Sequence, residues 1–417
     1  MERKDAVYEI FFKKSLAFLI AALMLVSFCG CKKNKADDLY SEYIVNENGE
    51  IVKEDGTKVE SKESKSGKQT NSKGTKASNS NTTTAEDDFM DTLDIENYTK
   101  KNKSLESRVK ELQNAISALG GSYPALSLSK VKGSTKEKAK ALKGNNTALN
   151  QAVTSLTNTL VTLGRNSVKN GVTGDLNSAY SWAKTAFSGK KLIALTFDDH
   201  PAEITSYLLD GLKSRNVAAV FFVIGRNINA NSNSSALLTR MKNEGHVIGN
   251  HTQNHIPLYR KYITNTTTVL DPVKEVTDCS NLIKQNAGGY NSFLLRVPGF
   301  IYKTPSSLPA GAEPNGIYNP ASLSRDTKNV LVDSTQIKVN EGADTETVYN
   351  QLLSAKDGSI IIIHPKYNLV DAAFKLIDKY KDDGYEFVTV PELIMAKAGK
   401  IEYAKAYRTP TEFANIG

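Results

Sequence analysis

Short apolar, β-rich runs alternate with helical stretches from about residue 190 onward in this 417-residue chain. The predicted strands are 192–197, 218–224, 246–250, 293–297, 330–332, 359–363 and 387–390. The helices predicted between them include 204–214, 235–243, 272–285, 345–355 and 370–383. Such alternation favours an α/β fold, here a distorted (β/α) barrel of about seven strands over residues 189–399, followed by a C-terminal tail over 400–417.

Two apolar stripes with steps of three and four residues precede the barrel, within residues 89–188. One stripe runs from Leu105 to Leu119 and the other from Leu149 to Leu163, with Gly120-Gly121 and Pro124 between them. Two stripes of similar length predict an α-helical stalk, either an antiparallel hairpin or a short coiled coil. Its lysine-rich flanks suit a stalk inside an anionic cell wall or an ordinary solvated helix face.

The N-terminal segment 1–31 is typical of an export signal. Basic residues precede an apolar run over 15–28, which is short for a membrane span and sized like the core of a signal peptide. The run ends in Phe28-Cys29-Gly30-Cys31, which resembles a bacterial lipobox with Cys31 as the lipidated residue. An uncleaved N-terminal anchor is the alternative. Both readings predict a protein outside the cytoplasm and held at the cell membrane.

Residues 32–88 are polar, and their Ser, Lys, Thr, Asn and Gly content predicts a flexible, disordered tether. Only Cys279 follows the two cysteines of the signal segment, so the mature chain is expected to form no internal disulfide. The net charge of +8 suits an anionic surface or polymer. No basic run is interleaved with aromatic residues, and with the export signal this argues against nucleic acid as a partner.

All five histidines of the chain lie between positions 200 and 364. The acidic pair Asp198-Asp199 ends the first predicted strand of the barrel, His251 and His255 follow the third, and His364 follows the run of four isoleucines. Each of these polar groups therefore comes at the carboxyl end of a strand, which is where the active sites of barrels are built.

These residue types are suited to metal-assisted hydrolysis. One carboxylate of the acidic pair can ligate a metal while the other moves a proton, and two histidines four residues apart can converge on the same ion. Two histidines with a carboxylate and open positions are typical of catalytic zinc. A partly desolvated His364 can act as a general acid. Taken singly, each group also fits a structural role, as a turn carboxylate or a core histidine.

Together the motifs resemble the polysaccharide deacetylase family, the NodB-homology domain of carbohydrate esterase family 4. The resemblance covers about residues 190–396. Its motifs here are Thr196-Phe197-Asp198-Asp199, His251-Thr252-x-x-His255, Arg296-Val297-Pro298-Gly299 and Ile362-Ile363-His364.

The resemblance implies a role for each matched position. Asp198 is the expected catalytic base, and Arg296 orients it. Backbone at Pro298 and Gly299 is expected to contribute to an oxyanion site, and His364 to act as the acid. The metal ligands implied are Asp199, His251 and His255.

The chain departs from the family pattern at two places. His200 stands where the family usually has glycine, so its side chain is expected to crowd the metal, add a ligand or touch substrate. The family's fourth motif pairs an Asp with a downstream Trp; Asp333 matches the Asp, but the Trp is missing. We take Asp333 as the expected partner of His364, and His246 as structural.

The expected function is a metal-dependent hydrolase that removes acetyl groups from N-acetylhexosamine residues of cell-wall or extracellular polysaccharide. Zinc is the expected ion, with cobalt and nickel also suited to the ligand set. An O-acetyl esterase acting on xylan-like sugars is one alternative. A catalytically inactive lipoprotein that binds glycan or scaffolds the envelope is the other, and His200 and the missing Trp favour it.

Overall fold

The computed structural model describes residues 43–45, 51–53, 85–256, 258, 271–300 and 320–414. The predicted signal segment with Cys31 and most of the predicted tether lie outside these residues. The chain divides into two units, residues 1–81 and 82–417. In the first unit, β1 (Tyr43–Val45) pairs antiparallel with β2 (Ile51–Lys53).

The second unit contains a curled, nine-stranded sheet. Its strands are β3 (Lys191–His200), β4 (Val220–Val223), β5 (Val247–Asn250), β6 (Leu294–Leu295), β7 (Val330–Val332), β8 (Ile360–Ile363), β9 (Tyr385–Phe387), β10 (Ala406–Tyr407) and β11 (Phe413–Ala414). The order is β11-β10-β7-β6-β5-β4-β3-β8, with β9 paired to the first residues of β3. All pairs are parallel except β10 with β11.

The segment after β7 connects β8, at one end of this sheet, to β10, which is next to the strand at the other end. The backbone N–H of Thr335 donates to the carbonyl of Ile360 in β8 at 2.8 Å, and the Thr335 hydroxyl donates to the carbonyl of Arg408, just after β10, at 3.0 Å. These bonds curl the sheet into the distorted barrel that the sequence predicts, and the fold class is confirmed.

Most helices of the barrel unit cover the outer face of the sheet, and the others pack against its inner side. Together they are α3 (Leu176–Tyr180), α4 (Trp182–Ala186), α5 (Thr205–Ser214), α6 (Gly225–Ala230), α7 (Ser234–Asn243), α8 (Pro272–Asn286), α9 (Pro320–Asp326), α10 (Thr345–Leu352), α11 (Tyr367–Asp382) and α12 (Val390–Ala398). Alternate residues of β3 point to opposite faces. Leu195 and Phe197 pack with α5 and α11, whereas Leu192 and Ala194 face the inner side with α4 and α12.

Ala406–Tyr407 and Phe413–Ala414 belong to the sheet as β10 and β11, where the sequence predicts a tail. β10 pairs with β7 and places Ala406 and Tyr407, both fully buried, in the core. A strand of two residues is too short to show the alternation by which strands are found in a sequence, which explains the difference.

The stalk region contains two long helices, α1 (Ala85–Ala118) and α2 (Thr135–Ser167). They run parallel, so an antiparallel hairpin is wrong. Near one end, the Asn102 amide donates to the carbonyl of Leu142 at 2.9 Å, and at the other end Gly121 lies against Leu163. The difference in residue number between contacting residues is nearly the same at both ends. It would change steadily along an antiparallel pair, so the helices are parallel.

An extended connection makes the parallel arrangement possible. Residues 119–134 return along the two helices, and Ser129 exchanges hydrogen bonds of 2.8 and 2.9 Å with the Asn145 side chain on the way. At about 3.3 Å per extended residue, such a segment is long enough to reach back to the start of α2. A capping box between Ser134 and Glu137 then begins α2.

The carboxyl ends of α1 and α2 pack on the amino end of the barrel. Arg165 of α2 forms two hydrogen bonds, 2.8 and 3.0 Å, with Glu392 of α12, whose side chain is 1% exposed. Gly164 lies against the ring of Trp182 so closely that an added Cβ atom would be 2.2 Å from it. Apolar residues of both helices and of the inner sheet face form one continuous core cluster. Within the described residues, no helix has the length and apolar character needed to cross a membrane.

Candidate active site

The predicted site residues meet at the carboxyl end of the barrel strands. Asp198 and Asp199 lie at the end of β3, His251 directly follows β5, Arg296 follows β6 and His364 follows β8. This end of the sheet is opposite the end that contacts α2.

A break in the strand allows both carboxylates to face one place. The pairing of β3 with β4 shifts register between Phe197 and His200, and Asp199 has a φ of 62°. Neighbouring residues of a regular strand point to opposite faces, so this irregularity is needed to turn Asp199 toward the side that Asp198 occupies. As a result, Nε2 of His251 lies 3.5 Å from Asp198 and 3.6 Å from Asp199.

Asp199, His251 and His255 form the group suited to a metal ion. One potential ligand atom from each lies within 4.8 Å of the others. Oδ1 of Asp199 is buried and has no hydrogen-bond partner among the described residues, although it lies 3.3 Å from Nε2 of His255. Two imidazoles and an unpartnered carboxylate oxygen fit a divalent ion with open coordination positions, the arrangement of catalytic zinc sites.

The orientation of His251 supports a role as ligand. Its Nδ1 lies 2.7 Å from the backbone carbonyl of Arg296. A carbonyl only accepts, so Nδ1 carries the proton and Nε2 keeps a free lone pair facing Asp199. Burial lowers the pKa of His251, with the charge of Asp198 acting in the opposite direction, and the neutral imidazole is the form that binds metals.

Arg296 holds Asp198 in place from inside the barrel. Its Nη1 donates to Oδ1 of Asp198 and to the Thr196 hydroxyl, both at 2.6 Å, and its other nitrogens donate to the carbonyls of Val332 and Asp333. The Arg296 side chain is fully buried. Burial raises the pKa of Asp198, but the charge and hydrogen bond of Arg296, together with His251, outweigh burial and hold that pKa below its usual value. Asp198 is therefore ionised at neutral pH.

Asp333 does not contact His364, and this part of the sequence prediction is wrong. The carboxylate accepts from Nε of Arg408 at 2.9 Å and from the backbone N–H of Ser334 at 2.7 Å. Val332 faces the inner side of the sheet, so the side chain of the next residue turns away from the interior, toward β10. The partner of His364 is Glu341, whose Oε1 lies 2.5 Å from Nδ1 of the imidazole.

Glu341 is the site residue that sequence reasoning missed. It lies in the loop between β7 and α10, where neither strand alternation nor helical spacing indicates which side chains point toward the strand ends. Only the folded path of the loop brings it beside β8.

His200 is not part of the metal-ligand group. Its side chain is fully buried between Phe197 and Phe221, and its Nδ1 lies 2.7 Å from the Thr205 hydroxyl. Burial lowers the pKa of His200 to about 3, so it is neutral at physiological pH. The side chain is therefore outside the metal-ligand group and has no exposed surface with which to touch a substrate, so the geometry supports neither of these two expected roles. His246 is also buried and accepts from the backbone N–H of Ala219 at 3.1 Å, a structural contact.

Pro298 and Gly299 lie in a short 3₁₀ turn, Pro298–Phe300, which follows β6 after Arg296 and Val297. Gly299 has a φ of 69°, a conformation that glycine adopts without steric cost. The turn continues from Arg296, whose guanidinium carbon lies 5.5 Å from the ring of Phe300. Its contribution to an oxyanion site stays a prediction.

The chain is similar to known deacetylases over its barrel. A family model for polysaccharide deacetylase matches residues 186–307. Peptidoglycan-N-acetylglucosamine deacetylase of Bacillus cereus is 31% identical over 231 residues, which cover 51% of this chain and 74% of that protein. Peptidoglycan-N-acetylmuramic acid deacetylase PdaC of Bacillus subtilis is 30% identical over 213 residues, 50% of this chain and 40% of that protein.

A third relative joins two activities in one chain. The bifunctional xylanase/deacetylase of Pseudobutyrivibrio xylanivorans is 30% identical over 221 residues, 51% of this chain and 32% of that protein. The chain thus covers about three quarters of the Bacillus cereus protein and less than half of the other two.

Proposed function

We propose that this chain, which belongs to the polysaccharide deacetylase family, hydrolyses the N-acetyl groups of hexosamine residues in a cell-wall or extracellular polysaccharide. The observation that carries the proposal is the meeting of Asp199, His251 and His255 beside an ionised Asp198. A site that only binds glycan needs neither a base nor an acid. Relatives that are peptidoglycan deacetylases support N-acetyl sugars as the substrate.

Asp199, His251 and His255 would hold the divalent ion, and zinc fits the donor set. When bound, such an ion lowers the pKa of water and polarises a carbonyl oxygen. Asp198 accepts the proton of the attacking water, because Arg296 keeps it ionised and fixes the direction of its second oxygen.

The remaining residues act on the acetyl group and the departing amine. A backbone N–H in the turn at Gly299 is suited to donate to the carbonyl oxygen as negative charge develops on it. His364 gives a proton to the sugar nitrogen as the carbon–nitrogen bond breaks. Water and the acetamido group are consumed, and acetate and a free amine are produced.

Acetate release tests the proposal. Purified protein with zinc is incubated with N-acetyl chitooligosaccharide and, separately, with acetylated xylan, and acetate is measured enzymatically. We expect release from the amide. Release from the xylan ester alone would instead support the O-acetyl esterase alternative, which the xylanase/deacetylase relative favours.

The Asp198→Asn variant separates catalysis from binding. Its metal content should match that of wild type, since Asp198 is outside the ligand group. Its acetate release should fall by at least about 100-fold, the usual contribution of a general base. If wild type and variant are equally inactive on every acetylated glycan tried, the result would support the alternative that the protein binds glycan or acts as a scaffold without catalysis.

We also propose an extracytoplasmic location with a lipid anchor at Cys31. The relatives whose names refer to peptidoglycan support the location, and the lipobox-like sequence supports the anchor. Partition of full-length protein into a detergent phase, lost in the Cys31→Ser variant, is the expected result. Equal partition of both proteins would contradict the anchor.

A further inference from the structure

Glu341 connects the loop after β7 to the end of β8. Its Oε1 lies 2.5 Å from Nδ1 of His364, and its Oε2 accepts from Nζ of Lys366 at 2.8 Å. The Asn368 side chain donates to the backbone carbonyls of Glu341 and Ala343 at 3.1 and 2.7 Å. The carboxylate and the loop backbone are thus both fixed to the segment that carries His364.

The contact determines which nitrogen of His364 faces the site. Burial raises the pKa of Glu341, but the hydrogen bond from Lys366 and the charge of His364 outweigh it and hold that pKa below its usual value. An ionised carboxylate only accepts, so Nδ1 carries a proton and Nε2 is left to exchange one with substrate. The same carboxylate fixes the ring of the residue that the proposed mechanism uses as general acid.

Asp333 is not placed to orient His364 in this chain. Both its carboxylate oxygens are engaged, by Arg408 and by the Ser334 backbone, and the side chain is fully buried. Reaching His364 would require breaking the charge-assisted hydrogen bond between Arg408 and the buried Asp333 carboxylate.

We propose that Glu341 is the positioning residue of this site, which orients His364 so that Nε2 faces the leaving group in the step in which that group departs. The inference rests on the proposed function. It adds a residue for which neither strand position nor the family motifs provide a role.

The ratio of the rates on two substrates with different leaving groups distinguishes a positioning role of Glu341 from a merely structural one. An amide requires a proton on the departing nitrogen, whereas 4-nitrophenolate leaves without one. Glu341→Ala and Glu341→Gln are therefore compared with wild type on N-acetyl chitooligosaccharide and on 4-nitrophenyl acetate. We expect kcat on the amide to fall about 10- to 100-fold for Glu341→Ala, the range seen when an orienting partner is removed. KM and the aryl-ester rate should stay within about twofold.

A matched control is available on the next helix. Glu346 of α10 forms an ion pair with Lys375 on the surface, and the Glu346 side chain is 60% exposed. Glu346→Gln removes the same charge without touching His364 and should leave both rates unchanged.

A second measurement follows the coupling between the two residues. In a His364→Ala background, Glu341→Ala should cost little further activity, because its effect passes through the imidazole. Full additivity of the two losses would overturn the inference. An unchanged amide rate in Glu341→Ala would do the same, as would equal losses on amide and aryl ester.

Failure of the proposed function gives a different pattern. Wild type would then release no acetate from the chitooligosaccharide. The comparison of Glu341 variants would move to acetylated xylan, whose departing sugar alkoxide also needs a proton. A loss there, with the aryl-ester rate retained, supports the inference even though the amide substrate is excluded.

Discussion

At the scale of single residues, the site depends on charges that compensate one another inside the barrel. Arg296 and Asp198 are both buried and 2.6 Å apart, and the guanidinium also lies 4.3 Å from the ring of Phe222. The sequence motifs predict that these two residues belong together. They do not predict the partner of His364, because the direction of the Asp333 side chain depends on where β7 ends and on the position of Arg408.

Arg296→Met should destabilise the fold by roughly 3 to 5 kcal/mol, since it leaves the Asp198 carboxylate buried without its counter-charge. Adding Asp198→Asn removes that charge and should recover part of the loss. Urea unfolding of the two single variants, the double variant and wild type measures both effects. Strictly additive losses would contradict a direct interaction between the two charges.

At the scale of elements, the sequence predicts strands better than the direction of helices. Buried runs such as Leu192–Phe197 and Ile360–Ile363 have only one place in an α/β fold, and the structure has strands there. The apolar stripes of α1 and α2 indicate which faces pack together, but a heptad pattern fits a parallel and an antiparallel pair equally well. The deciding feature is the extended connection over residues 119–134, whose sequence has no periodic pattern.

Two glycines of α2 should respond in opposite ways to the same substitution. Gly164→Ala places a methyl group against the Trp182 ring and should destabilise the protein by about 1 to 3 kcal/mol. Gly144 has open space around it, so Gly144→Ala should stabilise by up to about 1 kcal/mol through helix propensity. Thermal unfolding of both variants provides the comparison. A gain in stability for Gly164→Ala would show that α2 does not pack on Trp182 as described.

At the scale of the whole molecule, the helix pair and the barrel share a core, although the sequence predicts a separate stalk over 89–188. Residues such as Leu160 of α2 and Leu393 of α12 belong to one apolar cluster. The ion pair between Arg165 and Glu392 adds a contact with a buried carboxylate. The sequence predicts a boundary between stalk and barrel near residue 188 because the alternation of strands and helices begins there. Packing across that boundary has no signature in local sequence.

We expect α1, α2 and the barrel of unit 82–417 to unfold together. Trp182 is the chain's only tryptophan, is 3% exposed and lies against α2, so its fluorescence reports the packing of the helices on the barrel. Far-ultraviolet circular dichroism reports helix content. Denaturation of residues 82–417 followed by both signals should give coincident transitions. A fluorescence change at clearly lower denaturant would mean that the helices detach first.

The parallel direction of α1 and α2 has a consequence for how this protein can be attached to a surface. Arg108 of α1 donates to the carbonyl of Thr185 beside the barrel, while α1 begins at Ala85. The helical rise of 1.5 Å per residue places these two levels about 35 Å apart. A bead or sensor chip coupled at residue 85 is thus separated from the barrel by a rigid length of helix, and the carboxyl ends of the strands face the opposite way, open to a polymer in solution.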